Sequence, residues 1–447
     1  MNDTTAQVII VGGGPVALMA ALMLQRLGAT VTLVGEAPPI YLPLNPELML
    51  IGGDDALASL FQTSLTHWRS LSETLSLPNL LTSISAQDLA TSVGRAEKYR
   101  QESMLDAIGG EQVTFHAEPS SVSPLSLGYK NWEEAPILAP TMLKSLQQAV
   151  AEANISRLAV NPATLWVQDA SKPSLELENG TRLQASHIIF TSARALRRVL
   201  PPLGLPLPLR PARGHILHLQ TQQPHNLPLI LQRLQRGHLF FVPMGPNRID
   251  IHYDAINDPA QSTFGSRPNK ALVSALVNHA GLLVPKLNGA ELLRVNTATH
   301  WLTPDFLPAL GPWPGLPGVL VASGWGGRAT AMAAGAAATL VEHVTNGASS
   351  TNIQSLAPNR FANGLWQVVK KPGSLTWQEP QTDTSRSMMM PKPDYAETVN
   401  LIETPKPQYA EKVQQVGKTV TENAGRRAAT ISTRDKKKVT TAGLRGN

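Results

Sequence analysis

"VIIVGGGPVALMAALML" occupies Val8 to Leu24. Three readings compete for it: a membrane-inserted start, a buried helix, or the phosphate cradle of a dinucleotide site. The apolar run is broken by Gly12, Gly13, Gly14 and Pro15, and it meets Arg26 too soon for a bilayer span. Asn2 and Asp3 precede it, where a signal peptide wants Lys or Arg. Val8-Ile9-Ile10-Val11 is a continuous β-branched run, as in a strand covered on both faces of a parallel sheet. The glycines then force a turn. From Pro15 to Leu27, Ala, Leu and Met dominate and predict a helix. Gly28 caps it, and Ala29 to Val34 reads as a second strand.

This strand–turn–helix–strand unit carries the chemistry of a dinucleotide site. Gly12 permits the tight turn, Gly14 lets a pyrophosphate approach the backbone, and Pro15 starts the helix. Ala17 takes the third small position, where helix meets strand. The free N–H groups of the helix start offer partial positive charge to phosphates. A ribose-binding acid is expected about 20 residues on. Glu36 stands one residue after the favoured position, Gly35, and a bulge would bring it into place. The other reading of these glycines is a packing-driven turn with no ligand.

At 447 residues the chain is long enough for two or three domains. It has no cysteine, which excludes disulfides, thiolate metal sites, iron–sulfur clusters and a cysteine nucleophile. The net charge of +6 is unevenly placed: residues 1–350 hold 23 Lys/Arg against 24 Asp/Glu, and residues 351–447 hold 15 against 8. The basic character belongs to the tail and says nothing about a substrate. No other stretch is long and apolar enough to span a bilayer, so the body reads as soluble and cytoplasmic, with no transmembrane segment.

A distant segment chooses between NAD and FAD. "THWLTPDFLPALGPWPGLPGVLVASGWGGRATAMAAGAAATLVEHV" runs from Thr299 to Val344. It contains a short apolar strand, Gly318 to Ala322, the turn Gly324-Trp325-Gly326-Gly327, and a small-residue helix read from Ala329 to Val344. Here the chain resembles the D-amino-acid oxidase and glycine oxidase group of FAD-dependent oxidoreductases. The group's Thr-Pro-Asp-x-Leu-Pro-x-x-Gly run is matched by Thr303, Pro304, Asp305, Leu307, Pro308 and Gly311. "RPARGHILHLQ", Arg210 to Gln220, resembles its Pro-x-Arg-Gly strand. The resemblance covers residues 7 to about 346 and implies FAD as cofactor. It also implies that Gly324, Gly326, Gly327, Ala329 and Thr330 lie near the flavin ring.

The implied fold is α/β, a Rossmann-like FAD-binding domain interleaved with an α+β substrate domain built on an antiparallel sheet. The first is expected from residues 1–50, 135–205 and 295–346, the second from 51–134 and 206–294. Local patterns agree. "TMLKSLQQAVAEAN" has helical periodicity, and "SLELENGTRLQASHIIF" reads as strand, Asn179-Gly180 turn, strand. "GHLFFVPMGPNRIDIHYD" reads as a hairpin around Pro246-Asn247.

The departures from the group matter as much. Its Ser/Gly-rich turn after the second strand is here "APPIYLPLNPELML", and its Ala-x-Gly turn is Thr191-Ser192-Ala193. In its amino-acid-oxidising members an arginine three residues before the Thr of the Thr-Pro-Asp run clamps the substrate carboxylate in a two-pronged contact. Here that position is His300, which cannot reproduce the fork. The substrate is then not a simple α-amino acid, or another residue supplies the clamp, or turnover is lost. Arg328, just past the glycine turn, is the nearest cationic candidate; its bland reading is a helix-start residue bonding to a sheet edge. His215 and His218 lie three apart in an expected strand and so face opposite sides, which argues against a metal pair. His238, His252 and His300 are candidates to converge in the substrate region.

From about residue 350 the pattern dissolves into Ser, Thr, Pro, Lys and Gln and predicts a disordered or extended basic tail over 350–447. It contains "PKPDYAETV" at 391–399 and "PKPQYAEKV" at 405–413, a repeat spaced by 14 residues. The repeat reads as a protein-binding motif over 391–413 or as a neutral duplication in a linker. The basic end, Arg426 to Lys438, is read as solvated rather than as a specific nucleic-acid site. Two functions stand at this point. One is an FAD-dependent oxidoreductase acting on the C–N bond of a small amine or amino acid. The other is a non-catalytic accessory subunit of the same fold, docked into an assembly through the tail.

Overall fold

The computed structural model describes residues 7–35, 55–74, 80–103, 113–139, 141–167, 172–203, 205, 207–234, 237–254, 268–361, 367–371 and 374–378. All of them belong to the compact unit Met1–Pro393. Glu36, the prolines that follow it and the repeat at 391–413 lie outside the described residues.

The chain passes back and forth between two large sheets. It opens with β1 (Gln7–Val11), α1 (Pro15–Arg26) and β2 (Thr30–Val34), followed by the long helix α2 (Asp55–Thr74). It then leaves through β3 (Leu81–Ala90), α3 (Val93–Ser103), β4 (Val113–His116) and β5 (Gly128–Leu138). It returns with α4 (Met142–Glu152), β6 (Ser156–Leu158), the small sheet β7 (Pro162–Trp166), β8 (Ser174–Leu177), β9 (Arg182–Gln184), then β10 (His187–Phe190) and α5 (Ala193–Val199). The second excursion is β11 (Arg210–Gln220), β12 (Leu229–Leu234), β13 (Gly237–Pro243), β14 (Arg248–Asp254), α6 (Lys270–Leu283) and β15 (Glu291–Leu302). The last return is β16 (Ala309–Pro312), β17 (Val319–Ser323) and α7 (Ala333–Asn346), with a hairpin of β18 (Gln367–Lys371) and β19 (Ser374–Gln378) beyond.

The first sheet has the order β16-β17-β10-β1-β2-β6, parallel except for β16. Its faces explain the unbroken apolar run of β1. Val8 and Ile10 point to a core shared with α1, α2, α4 and α7, while Ile9 and Val11 point to one shared with α5 and the β7-β8-β9 sheet. A strand buried on both sides has no polar face to show. The second sheet has the order β15-β11-β14-β13-β12-β3-β5-β4 and is antiparallel except at β3/β12. One face packs on α6 through Leu217, Leu239, Phe241, Ile249 and Ile251. No helix among the described residues is long and apolar enough to cross a membrane.

The α/β architecture and the alternation of two sheets follow the expected organisation, with four corrections in detail. Helix α2 falls inside the expected substrate segment 51–134, yet Leu57, Leu60, Phe61, Leu65, Trp68 and Leu71 bury its apolar stripe in the core of the first sheet. Close approach to α7 is the reason. A Cβ on Gly335 would lie 2.5 Å from the Leu60 carbonyl, and Ser64 Oγ and Trp68 Nε1 both donate to the Ala331 carbonyl at 2.6 and 3.3 Å. Next, the run after the Asn179-Gly180 turn is two strands: β9 stays with β8, while β10 crosses into the parallel sheet between β1 and β17. Third, α7 begins at Ala333 rather than Ala329, because a short 3-10 turn over Gly326–Ala329 intervenes. Finally, the body continues past residue 350. Leu356 is fully buried, Phe361 is 4% exposed, and both pack in the cores of the first sheet.

Candidate active site

Three turns meet at the carboxyl edge of the parallel sheet, after β1, β10 and β17. The chain leaves β1 toward β2 on one side and reaches β10 on the other, so the crevice between β1 and β10 is a topological switch point, where ligands of open α/β sheets bind. Gly12 adopts φ +142°, and its N–H donates to the Val34 carbonyl at 2.9 Å. A Cβ there would lie 2.1 Å from Thr191 Oγ1, itself a donor to the Val11 carbonyl at 3.2 Å. Gly14 has ordinary dihedrals and is the N-cap of α1, but no side chain caps that helix. A Cβ on Gly14 would meet no atom of the described residues within 4 Å. The first turn of α1 therefore presents uncapped N–H groups to open space, with Pro15 at its first position and Ala17 fully buried behind it. A groove of about 450 Å³ runs along these atoms, walled by Gly12, Gly14, Gly35, Thr191, Arg194 and Arg198. Open backbone donors, a helix start and two guanidinium groups fit a pyrophosphate.

Gly35, Thr191, Arg194 and Arg198 were not among the expected contacts. Gly35 is the residue the fingerprint left in place of the acid; it adopts φ +107° and lies beside Gly12. Thr191 and the arginines follow β10, a second buried run, His187 to Phe190, ending in Thr-Ser. That a strand so far along the chain pairs with β1 was the signal that local spacing could not supply. Ser192 caps α5 by accepting from the Ala195 N–H at 3.3 Å. Arg198 is hydrogen-bonded to Glu178.

The turn after β17 is held by close packing. Gly324 and Gly326 both have positive φ, and a Cβ on either would lie 2.7 Å from Thr303 Cγ2 or Leu302 Cδ2. Gly327, Ala329 and Thr330 complete the turn, with Thr330 buried at its end. Arg328 Nη1 donates to the Phe306 carbonyl at 3.0 Å, so its partner is the Thr303–Pro308 run rather than a sheet edge. Trp325, in the same turn, has a buried indole N–H with no hydrogen-bond acceptor among the described residues. An orphaned donor beside the glycines fits a turn built against a polar ligand.

The second sheet meets this turn at the end of β15, where Leu302 bridges to Trp325. In the strand registers His300 opposes Ala212, His252 opposes Ile216 and Phe240, and His238 opposes Arg233 and Asp254. All of these lie on the face away from α6. His300 is half-buried and leans over Gly214, where a Cβ would lie 2.7 Å from its Nε2. His238 has an Nδ1 sealed from solvent with no hydrogen-bond partner among the described residues. Burial holds its pKa well below the ordinary value, and the guanidinium groups of Arg233, Arg328 and Arg95 lower it further. Arg233 is fixed by a 2.9 Å bond from Nε to Oδ2 of the fully buried Asp88. His218 bonds Asp250 at 2.8 Å on the same face, while His215 lies on the other, accepting from the Asn269 N–H. No group of three or more His, Asp or Glu able to hold a metal occurs among the described residues.

The expected residues thus form two clusters. Gly12, Gly14, Pro15 and Ala17 build the groove end, and Gly324, Gly326, Gly327, Arg328, Ala329 and Thr330 build the turn. His300 lies on the strand bridged to that turn through Leu302 and Trp325.

Comparison with known proteins agrees with this architecture. The family model described as DAO, FAD dependent oxidoreductase, matches residues 7–343. Glycine oxidase from Geobacillus kaustophilus superimposes with a TM-score of 0.68 at 19% identity, covering 80% of this chain and 99% of the other. Iminodiacetate oxidase from Chelativorans sp. BNC1 gives 0.67 at 18% identity, covering 78% and 98%. L-proline dehydrogenase from P. horikoshii gives 0.65 at 15%, covering 80% and 98%. No curated protein sequence matches the chain.

Proposed function

We propose, from the premise that this chain belongs to the DAO family of FAD dependent oxidoreductases, that it oxidises a carbon–nitrogen bond of a small amine or amino acid. FAD is the family's cofactor, and when bound it supplies a hydride acceptor. The backbone of Gly12 to Gly14 and the first turn of α1 would hold its pyrophosphate, and Arg194 and Arg198 would add charge at the groove. The Gly324–Gly327 turn would border the ring.

The observation that carries this reading is the glycine cradle at the β1–β10 switch point together with the bridge, Leu302 to Trp325, that ties the Gly324–Gly327 turn to the strand of His300. Arg328 in that turn, and Arg233 as the cross-strand partner of His238, would present a cationic surface to a substrate beside them. Such a field disfavours an ammonium ion, so an amine held there sheds its proton and presents the neutral lone pair that hydride loss requires. It also makes His238 a weak proton acceptor, and the reaction as proposed needs no strong base from the protein.

Purified protein mixed anaerobically with a panel of small amines, amino acids and 2-hydroxy acids tests the reading. The expected result is loss of the oxidised-flavin absorbance with an amine or amino acid. Reduction by hydroxy acids alone would overturn it. His300, standing where an arginine clamp is implied, favours a second reading, an accessory subunit docked through residues 391–413. That reading is supported instead if flavin is bound but no substrate reduces it.

A further inference from the structure

We propose that this chain holds the adenosine half of its cofactor by phosphate charge, through Arg194, and not by a carboxylate on the ribose. The proposal rests on the reading above and names what the dinucleotide groove selects. In such folds an acid at the end of the second strand takes the ribose hydroxyls. Here β2 ends at Val34, and the next residue is Gly35. Its N–H donates to the Leu158 carbonyl at 2.9 Å. A Cβ built on it would come no closer than 4.0 Å, to the Gly12 nitrogen, among the described residues. The place of the acid therefore carries no side chain of its own.

Another wall of the groove comes from α5, and its two arginines differ. Arg198 is bonded to Glu178 Oε1, and the other oxygen of that carboxylate accepts from Asn161 Nδ2 at 3.2 Å. Asn161 lines the groove as well, so this part of the wall is internally bonded and its charge is offset. Arg194 is exposed, and its guanidinium makes no hydrogen bond or ion pair among the described residues. It lines the same groove of about 450 Å³ as Gly14, the uncapped start of α1. The ligand group that suits both is a phosphate, which accepts charge-assisted bonds from a guanidinium and from helix-start N–H groups. A neutral ribose hydroxyl offers the guanidinium no such gain. Selection by charge leaves the 2′-hydroxyl unread and is screened by salt.

Release of FAD from the purified full-length protein, followed by the rise in flavin fluorescence, tests this with ADP, 2′-deoxy-ADP and adenosine as competitors. ADP and 2′-deoxy-ADP are expected to compete within about twofold of each other, and adenosine about tenfold worse or more. Sodium chloride raised from about 0.1 to 1 M should weaken ADP. Arg194→Met should weaken ADP about tenfold and lose most of that salt dependence. The position is exposed, so the variant should keep its melting temperature. Arg198→Met should do less, because its charge is already matched by Glu178. A tenfold preference for ADP over 2′-deoxy-ADP would return the ribose to a carboxylate and overturn the proposal. Unchanged ADP affinity in Arg194→Met would overturn it too. Protein that holds no flavin would sink the oxidoreductase reading; the same nucleotides, titrated by heat, would still decide this one.

Discussion

Arg360 grips Asp305 across 55 residues of sequence, Nε to Oδ2 at 2.7 Å. The same guanidinium donates through Nη2 to the carbonyls of Leu307 and Pro308 at 2.7 and 3.0 Å, and through Nη1 to those of Leu356 and Ala357. The loop it grips contains Phe306, a non-glycine residue at φ +59° whose carbonyl holds Arg328. A residue in a sparsely populated conformation persists only when its surroundings over-determine it. Arg360 supplies that restraint, from beyond the boundary that composition suggested.

Arg360→Ala should therefore cost about 2–4 kcal/mol, since the pair is mostly buried and several carbonyls lose their donor. Denaturant titration measures the loss. Substrate-driven flavin reduction should slow beyond what partial unfolding explains, because the loop that places Arg328 is loosened. A variant with unchanged stability would show the contact to be incidental.

Two neighbouring glycines should fail differently. Gly14→Val adds a side chain to open space in the groove, so the apoprotein should keep its melting temperature and lose its flavin. Gly12→Ala meets Thr191 Oγ1 and needs φ +142° from a residue with a Cβ, so fold and flavin should fail together. Absorbance of the purified proteins and thermal melts separate the two. Full flavin in Gly14→Val would mean that the pyrophosphate lies elsewhere.

The β1–α1 side of the groove was legible because its logic is local, whereas the wall from Thr191 to Arg198 was not. Glycine spacing, a β-branched run and an alanine-rich helix lie within 28 residues, Gln7 to Val34, and each obeys a short-range rule. The cross-strand pair of Arg233 and His238 was not, because it is assembled from β12 and β13, and its counter-ion Asp88 is 145 residues from Arg233. His238 was named only as one of three histidines in the region, and nothing in the sequence singles out Arg233. The start of α7 was misplaced for a different reason. Ala329, Ala331 and Met332 are good helix formers, but a 3-10 turn precedes them and the Ala331 carbonyl accepts from Ser64 and Trp68 of α2, contacts that local propensity does not report.

Acid should weaken the fold through His215. It is fully buried, accepts from the Asn269 N–H at the start of α6, and has its pKa lowered to about 4 by burial and by Arg213. The unfolded chain takes up this proton near pH 6.5, the folded protein only near 4. Stability is thus flat above about 6.5 and falls as pH drops toward 4, by about 2–4 kcal/mol from this group. His67, His187, His279 and His343 are shifted the same way by burial and add to the fall. His215→Gln, which keeps an acceptor for Asn269, should flatten the profile between pH 5 and 6.5. Urea titrations at pH 7.5 and 5 give the answer, and equal losses in wild type and variant would remove His215 from the account.

The end of the body can be found by cutting the chain at two places. Truncation after Pro393 leaves every described residue in place. It should preserve flavin content and melting temperature, while removing Tyr395 and Tyr409 and any partner bound through the repeat. Truncation after Ser350 removes Leu356, Arg360 and Phe361 together. Burial of the two apolar side chains contributes about 1.5–3 kcal/mol each, and the Arg360 contacts add to that. The sum is comparable with the whole stability of an ordinary domain, about 5–15 kcal/mol. The shorter protein should therefore be insoluble or should melt well below the longer one, and it should hold little flavin, since the Thr303–Pro308 loop loses its clasp. Melting curves of both proteins decide the matter. If the protein ending at Ser350 melts with the full-length chain, the 354–361 segment only rests on the surface, and the account of Arg360 falls with it.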